Sequence, residues 1–276
     1  MPGDLHLHTT SSDGRMCGPR RVEQAAAVGL GAIAITDHNA ISAIPSARLV
    51  ADYWGVEVIA GAELDCDCRG IHTHIVGLFV DIEKPEFQRD MLAAQEAWRG
   101  WVREVMAEAG QMAGIALQWE DLYYWGDVPT GGDITTALRS KGYEGALDMT
   151  VYGPPGTRAV PLPLSAAHIC DMIHRAGGVA VLGHPWRPFA IGTLAEPTQF
   201  KHILDTGIDG WECWRGDYEP EWIECLLAWA KRLDLLPSGG ADYHGPKVGD
   251  NLYPFGAVLV PDDALEALRE RAERYR

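Results

Sequence analysis

His6 and His8 are separated by a single residue, and Asp13 follows them in the segment HTTSSDG. Alternate side chains of an extended segment point to one side, so both imidazoles can grip the same cation. The same residue types recur along the chain. Asp37-His38 follows GAIAIT, Glu63 follows VIAGA, His74 precedes IVGLFV, His184 follows GGVAVLG, and Asp242 and His244 follow LLPSGGA. Any one of these histidines alone reads as an ordinary hydrogen-bonded core residue. Six imidazoles with the carboxylates of Asp13, Glu63 and Asp242 on one rim read differently, because burying them without a cation costs heavily. Imidazole with carboxylate suits Mn, Zn or Fe better than Ca or Mg. Nine such groups exceed the needs of a single ion, so two to three divalent transition metals are expected.

The elements that must position these residues alternate in type. Short apolar runs interleave with amphipathic helical patterns, which predicts an α/β architecture. Strands are expected over residues 4–8, 31–36, 56–61, 75–80, 178–182, 208–214, 235–241 and 256–260. Helices are expected over 19–29, 42–54, 86–112, 165–176, 197–206, 219–233 and 262–276. In such folds ligands gather at the C-terminal ends of the strands, where most of the nine groups fall. His74 instead begins its strand. The segment before it lacks a helical pattern, and a parallel crossover needs one, so strands three and four are expected to run antiparallel. That arrangement brings His74 beside Glu63. Residues 1–85 and 164–276 then make one barrel-like domain. Residues 86–163 form a mostly helical insertion subdomain covering the active site, which exits through the proline-rich segment 152–163.

The 276-residue chain is 47% apolar with a formal net charge of −16. This composition supports a globular core and excludes a disordered or fibrous protein. Strong acidity argues against gripping long nucleic acid and against a basic membrane-surface protein. No apolar run is long enough to span a membrane, and the N-terminus lacks the pattern of a secretory signal. Six cysteines in a chain this long are not a disulfide framework, so a reduced, cytoplasmic setting is expected. No obligate protein partner is evident.

The ordered series His6-x-His8, Asp13, Asp37-His38, Glu63, His74, Gly183-His184-Pro185 and Asp242-x-His244 resembles the PHP (polymerase and histidinol phosphatase) family, near the amidohydrolases. The likeness runs nearly end to end. It implies a distorted (β/α)7 barrel, TIM-barrel-like, with up to three metals. It also implies one metal on His6, His8, Glu63 and Asp242, a second on Glu63, His74 and His184, and a third on Asp13, His38 and His244. Within the family the chain looks most like small bacterial phosphoesterases of nucleotides and sugar phosphates with an inserted helical subdomain. It looks less like the histidinol-phosphatase branch, whose third metal position usually opens with His where this chain has Asp13. Where many relatives carry a Ser-His pair, this chain has Arg215-Gly216-Asp217-Tyr218.

The implied reaction is hydrolysis of a mono- or cyclic diester of a small nucleotide or phosphorylated ribose, by attack of a metal-activated hydroxide on phosphorus. Cationic groups outside the metal shell should bind the substrate phosphate; Arg187, Arg158 and Lys141 are the candidates. Asp37, next to His38, is a candidate to orient that ring or protonate the leaving group. Alternatives are an exoribonuclease trimming short oligonucleotides, a histidinol phosphatase, or a non-catalytic PHP module stabilised by its metals. A C–N amidohydrolase is disfavoured, since no lysine stands where a bridging carbamate would be needed.

Overall fold

A computed structural model describes residues 2–145, 161–185, 201–246 and 254–276. Seven strands form one curled sheet whose spatial order follows the chain. They are β1 (Gly3–Leu7), β2 (Ala32–Ile35), β3 (Glu57–Cys68), β4 (Ile71–Leu78), β5 (Val179–Leu182), β6 (Gly210–Trp214) and β7 (Leu236–Gly239). β1, β2 and β3 pair in parallel, as do β5, β6 and β7, whereas β4 runs antiparallel to both β3 and β5. The direction expected for strand four is therefore present, and it reverses one strand of an otherwise parallel barrel.

The seam between β1 and β7 carries no ladder. A parallel bridge joins Leu7 to Tyr243, and the Ala241 N–H donates to Asp4 Oδ1 at 2.9 Å. Gly240 makes this approach possible, because a Cβ there would lie 2.3 Å from Cβ of His6. Burial raises the Asp4 carboxyl to about 7, against the lowering effect of the Ala241 and His6 amides.

Helices cover the sheet: α1 (Gly18–Ala27), α2 (Ile44–Trp54), α3 (Pro85–Ala113), α4 (Gly131–Ser140), α5 (Ala166–Arg175), α6 (Lys201–Leu204), α7 (Pro220–Leu233) and α8 (Asp262–Glu273). The largest apolar cluster joins strand residues such as Ile33, Leu64, Ile75 and Trp211 to Val22, Ile44, Ile173 and Leu226 of the helices. A second cluster joins Leu5, Ala34, Ile59, Val76 and Val181 to Leu265 and Leu268 of α8. α3 serves two cores. Phe87 and Met91 near its start pack in the main cluster, whereas Trp98 to Ala109 pack with Ile134, Ala137 and Leu138 of α4 in a third.

Two expectations need correction. β3 and β4 are longer than 56–61 and 75–80 and meet in a hairpin at Arg69 and Gly70, both at positive φ. Leu64, Cys66 and Cys68 alternate with Asp65 and Asp67, a period-two pattern that extends the strand past Glu63. Glu63 and His74 consequently lie within strands rather than at their ends. The segment 256–260 is not a strand: Gly256 sits at φ +80, and only Val260 pairs, in a single bridge to Gly3. Among the described residues no helix is long and apolar enough to cross a membrane. The helix expected over 197–206 falls partly outside the described residues, and its described portion includes α6.

Candidate metal centre

All nine expected ligands converge. Four groups of side chains each offer candidate ligand atoms within 4.8 Å of one another: His6, His8, Glu63, Asp242; Glu63, His74, His184; His8, Asp13, His38, His244; and His38, Asp65, His74. β1 supplies His6 and leads into His8. β3 supplies Glu63 and β4 His74, while His38, His184, Asp242 and His244 follow β2, β5 and β7.

Glu63 stands at the middle. Its Oε1 lies 2.7 Å from His74 Nδ1 and 3.0 Å from His184 Nε2. Its Oε2 lies 3.1, 3.2 and 3.3 Å from Nε2 of His6, His8 and His38. These are not all hydrogen bonds. Glu63 Oε2, His6 Nε2, His8 Nε2, His38 Nδ1 and His184 Nδ1 are buried without a hydrogen-bond partner among the described residues. Two ligands each about 2.1 Å from one ion stand ~3.0–3.4 Å apart, as the Glu63 Oε2 contacts do. Of the unpartnered atoms, Glu63 Oε2, His6 Nε2 and His8 Nε2 face one another across a gap that fits a cation, and the donor set suits a divalent transition metal.

Electrostatics agree. Burial alone would raise the Glu63 carboxyl, but His38, His6, His74 and His184 hold it well below the carboxylate range. Burial likewise opposes ionisation of Asp242, and the Arg215 guanidinium with His6 and His244 reverses this. His74 loses basicity by burial yet is pushed up to about 9 by Glu63 and Asp65. Burial holds His184 below the ordinary imidazole value, and His74 adds to that effect. The outer group is more open, with the Asp13 side chain 35% exposed and 3.2 Å from His244 Nε2.

Neighbouring groups fix which nitrogen faces inward. His6 Nδ1 donates to Glu212 Oε1 at 2.6 Å, leaving Nε2 toward Glu63 and Asp242. Glu212 Oε2 also accepts the His184 N–H at 2.5 Å. His8 Nδ1 lies 3.3 Å from Ser12 Oγ, which donates to Asp37 Oδ1 at 2.6 Å. Such outer partners orient ligating imidazoles. His184 and Asp242 sit at φ +28 and +49, conformations that cost non-glycine residues about 1–3 kcal/mol and gather at functional sites.

The other expected residues fall as follows. Asp37 is fully buried and accepts from Thr9 N, Thr9 Oγ1 and Ser12 Oγ, each at 2.6 Å. It therefore holds the loop after His8; the carboxylate beside the His38 ring is Asp65, at 3.3 Å. Lys141 pairs with Asp121 at 2.5 Å and donates to the Ala116 carbonyl, both in the helical insert. Arg158 and Arg187 lie outside the described residues. Arg215 is buried and donates to Asp242 Oδ2 at 2.8 Å and Asp217 Oδ1 at 2.6 Å.

Asp65 and Glu212 are absent from the sequence expectation. Both carried a signal. Asp65 is two residues from Glu63 and so shares its strand face, and Glu212 is an acid inside an apolar strand, between buried Trp211 and Cys213.

Comparison with known proteins agrees with this geometry. The PHP domain family matches residues 4–146, and the chain belongs to that family. It is 30% identical over 272 residues to a 5'-3' exoribonuclease of Haemophilus influenzae, covering 93% of this chain and 96% of that one. It is 31% identical over 258 residues to the 3',5'-nucleoside bisphosphate phosphatase of Chromobacterium violaceum, covering 89% and 88%. A Bifidobacterium adolescentis structure described as a metal-dependent phosphoesterase superposes with TM-score 0.76 at 26% identity, covering 98% of this chain and 96% of that one. The protein is a metal-dependent phosphoesterase built on a distorted PHP barrel.

Proposed function

We propose that the chain hydrolyses a phosphate ester of a small nucleotide or phosphorylated ribose, using up to three divalent metals. His6, His8, Glu63 and Asp242 would hold the first, Glu63, His74 and His184 the second, and Asp13, His38 and His244 the third. The observation that carries this reading is the set of buried, unpartnered donor atoms around Glu63. Six imidazoles favour Mn, Zn or Fe. When bound, such ions acidify water and neutralise phosphoryl oxygens.

The chain's own residues do the rest. Glu63 turns one oxygen to each of the first two positions. Glu212 holds the proton on His6 Nδ1, and Asp37, acting through Ser12, holds the His8 loop. Arg187 and Arg158 remain the proposed phosphate-binding groups; Lys141 would first have to leave Asp121. We propose that the segment 86–163 covers the site. In support, the Asp127 N–H donates to the Ser11 carbonyl at 2.8 Å, and Ser42 Oγ donates to Asp127 Oδ1 at 2.9 Å. Six free cysteines support a reducing, cytoplasmic setting.

A second reading, trimming of short RNA ends, is favoured by one feature. Tyr123 and Trp125, 77% and 60% exposed, lie just before Asp127, which docks on the Ser11 loop, and exposed aromatics there can stack bases. Phosphate release with Mn present, compared across nucleoside 5'-monophosphates, 3',5'-bisphosphates, cyclic ribose phosphates, dinucleotides and histidinol phosphate, tests both. Turnover of the bisphosphates above all others is expected. Preferred release of nucleotides from dinucleotides would favour the second reading, and turnover of histidinol phosphate alone would overturn both.

A further inference from the structure

The orientation of each of the six ligand imidazoles turns on one proton, and two of these rings, His38 and His74, share a single buried carboxylate. His38 lies between Glu63 Oε2, 3.3 Å from its Nε2, and Asp65 Oδ2, 3.3 Å from its Nδ1. His74 lies between Glu63 Oε1, 2.7 Å from its Nδ1, and Asp65 Oδ1, 3.1 Å from its Nε2. Each ring thus spans the same two residues. A neutral imidazole has one proton and one lone pair, so it can offer the lone pair to only one side. Asp65 is 6% exposed and rigidly held: Asn39 Nδ2 donates to its Oδ2 at 2.8 Å, and its own N–H donates to Asn39 Oδ1 at 3.2 Å. His72 Nε2 donates to its Oδ1 at 2.6 Å.

We propose that Asp65 is a positioning residue that fixes the tautomers of His38 and His74 together. It holds the proton on His38 Nδ1 and on His74 Nε2, so both rings turn a lone pair toward Glu63. One carboxylate thereby orients ligands of two different metal positions, the second through His74 and the third through His38. The first position owes its orientation to Glu212 and Ser12 instead. The donor count also explains why Asp65 serves as an outer partner rather than a ligand. Asn39 and His72 donate to its carboxylate, and His38 Nδ1 and His74 Nε2 lie 3.3 and 3.1 Å from it, so its two oxygens already face four nitrogens. A cation there, with the other positions filled, would further require His38 and His74 each to give up its one remaining ring proton.

This inference rests on the metal-centre reading, and its test separates the two. Metal content and Mn affinity are measured for the wild type, Asp65→Asn and Asp13→Ala, with a thermal melt confirming that each variant folds. Asp65→Asn is expected to weaken binding about 10–100-fold at two positions while one ion stays tight, whereas Asp13→Ala loses one ion only. In the Zn-loaded wild type, ¹⁵N correlation spectra should report His38 protonated at Nδ1 and His74 at Nε2. This second measurement needs no variant and a purely structural role would not move it. Wild-type affinity at every position in Asp65→Asn, loss of one whole ion with the others unchanged, or the opposite tautomer at either ring would overturn the role of Asp65. A wild type that binds less than one ion would overturn the metal-centre reading itself.

Discussion

Two buried carboxylates in this barrel have opposite fates. Asp209, just before β6, is 3% exposed and accepts from four donors: His174 Nε2 at 2.8 Å, Ala180 N at 3.0 Å, Arg271 Nη1 at 2.8 Å and Tyr275 Oη at 2.8 Å. Glu63 is equally buried and faces five imidazole nitrogens, yet its Oε2 has no hydrogen-bond partner among the described residues. The network at Asp209 is complete and ties α5 and α8 to the sheet. The one at Glu63 is incomplete, which the proposed metal centre accounts for. Burial is the same in both places, so between these two carboxylates it is the hydrogen bonding, finished at Asp209 and unfinished at Glu63, that differs.

Glu63→Gln should have the largest effect, since the proposed centre uses its carboxylate at two metal positions. We expect activity to fall on the order of 10³-fold, with loss of at least one ion by metal analysis. Its melting temperature in chelator should fall less than that of Asp209→Asn; the reverse order would erase the contrast between the two carboxylates. Asp209→Asn is expected to destabilise the fold by about 3 kcal/mol in denaturant titration, with kcat per folded molecule unchanged. Burial would raise the Asp209 carboxyl, but His174, Ala180, Tyr275 and Arg271 hold it below its ordinary value. A depressed folded pKa gives stability that is fully present above the unfolded value, about 3.9, and lost as pH falls through the folded value. The stability gap between wild type and Asp209→Asn should therefore be full at neutral pH and close only in strong acid.

Asp13→Ala probes the open side of the functional end. It should remove one ion and leave the Glu63 positions filled, lowering activity about 10²-fold. Unchanged metal content would detach Asp13 from the site. The smallest effect is expected at the insert. Trp125→Ala should raise KM for a nucleotide substrate about fivefold, the equivalent of ~1 kcal/mol of stacking, while a phosphate ester without a base is unaffected. An unchanged KM for the nucleotide would confine the functional end to the barrel.

The sequence carried much of this directly. The alternation of runs predicted an α/β barrel, and residue types at the run ends picked out nine groups that the fold does bring together. Strand four was readable as antiparallel because too little chain precedes it for a helical crossover. Other features were less accessible. The Leu64–Cys68 alternation was present in the sequence, but its acidic residues masked a strand buried on both faces. The segment 256–260 has an apolar pattern without a neighbour to complete a ladder.

Composition and spacing by themselves pointed to the chemistry: imidazoles and carboxylates recurring at the ends of apolar runs suit a cation, whatever the connectivity. Only the tertiary structure decided how that chemistry is supported. Asp37 adjoins His38 in the chain yet braces the His8 loop, and Asp65, 27 residues from His38, lies against its ring. Glu212 reaches His6 across 206 residues. Ligand type is a property of a residue and survives in one dimension. A hydrogen-bond partner is set by where two strands lie side by side, and that is fixed only when the barrel closes.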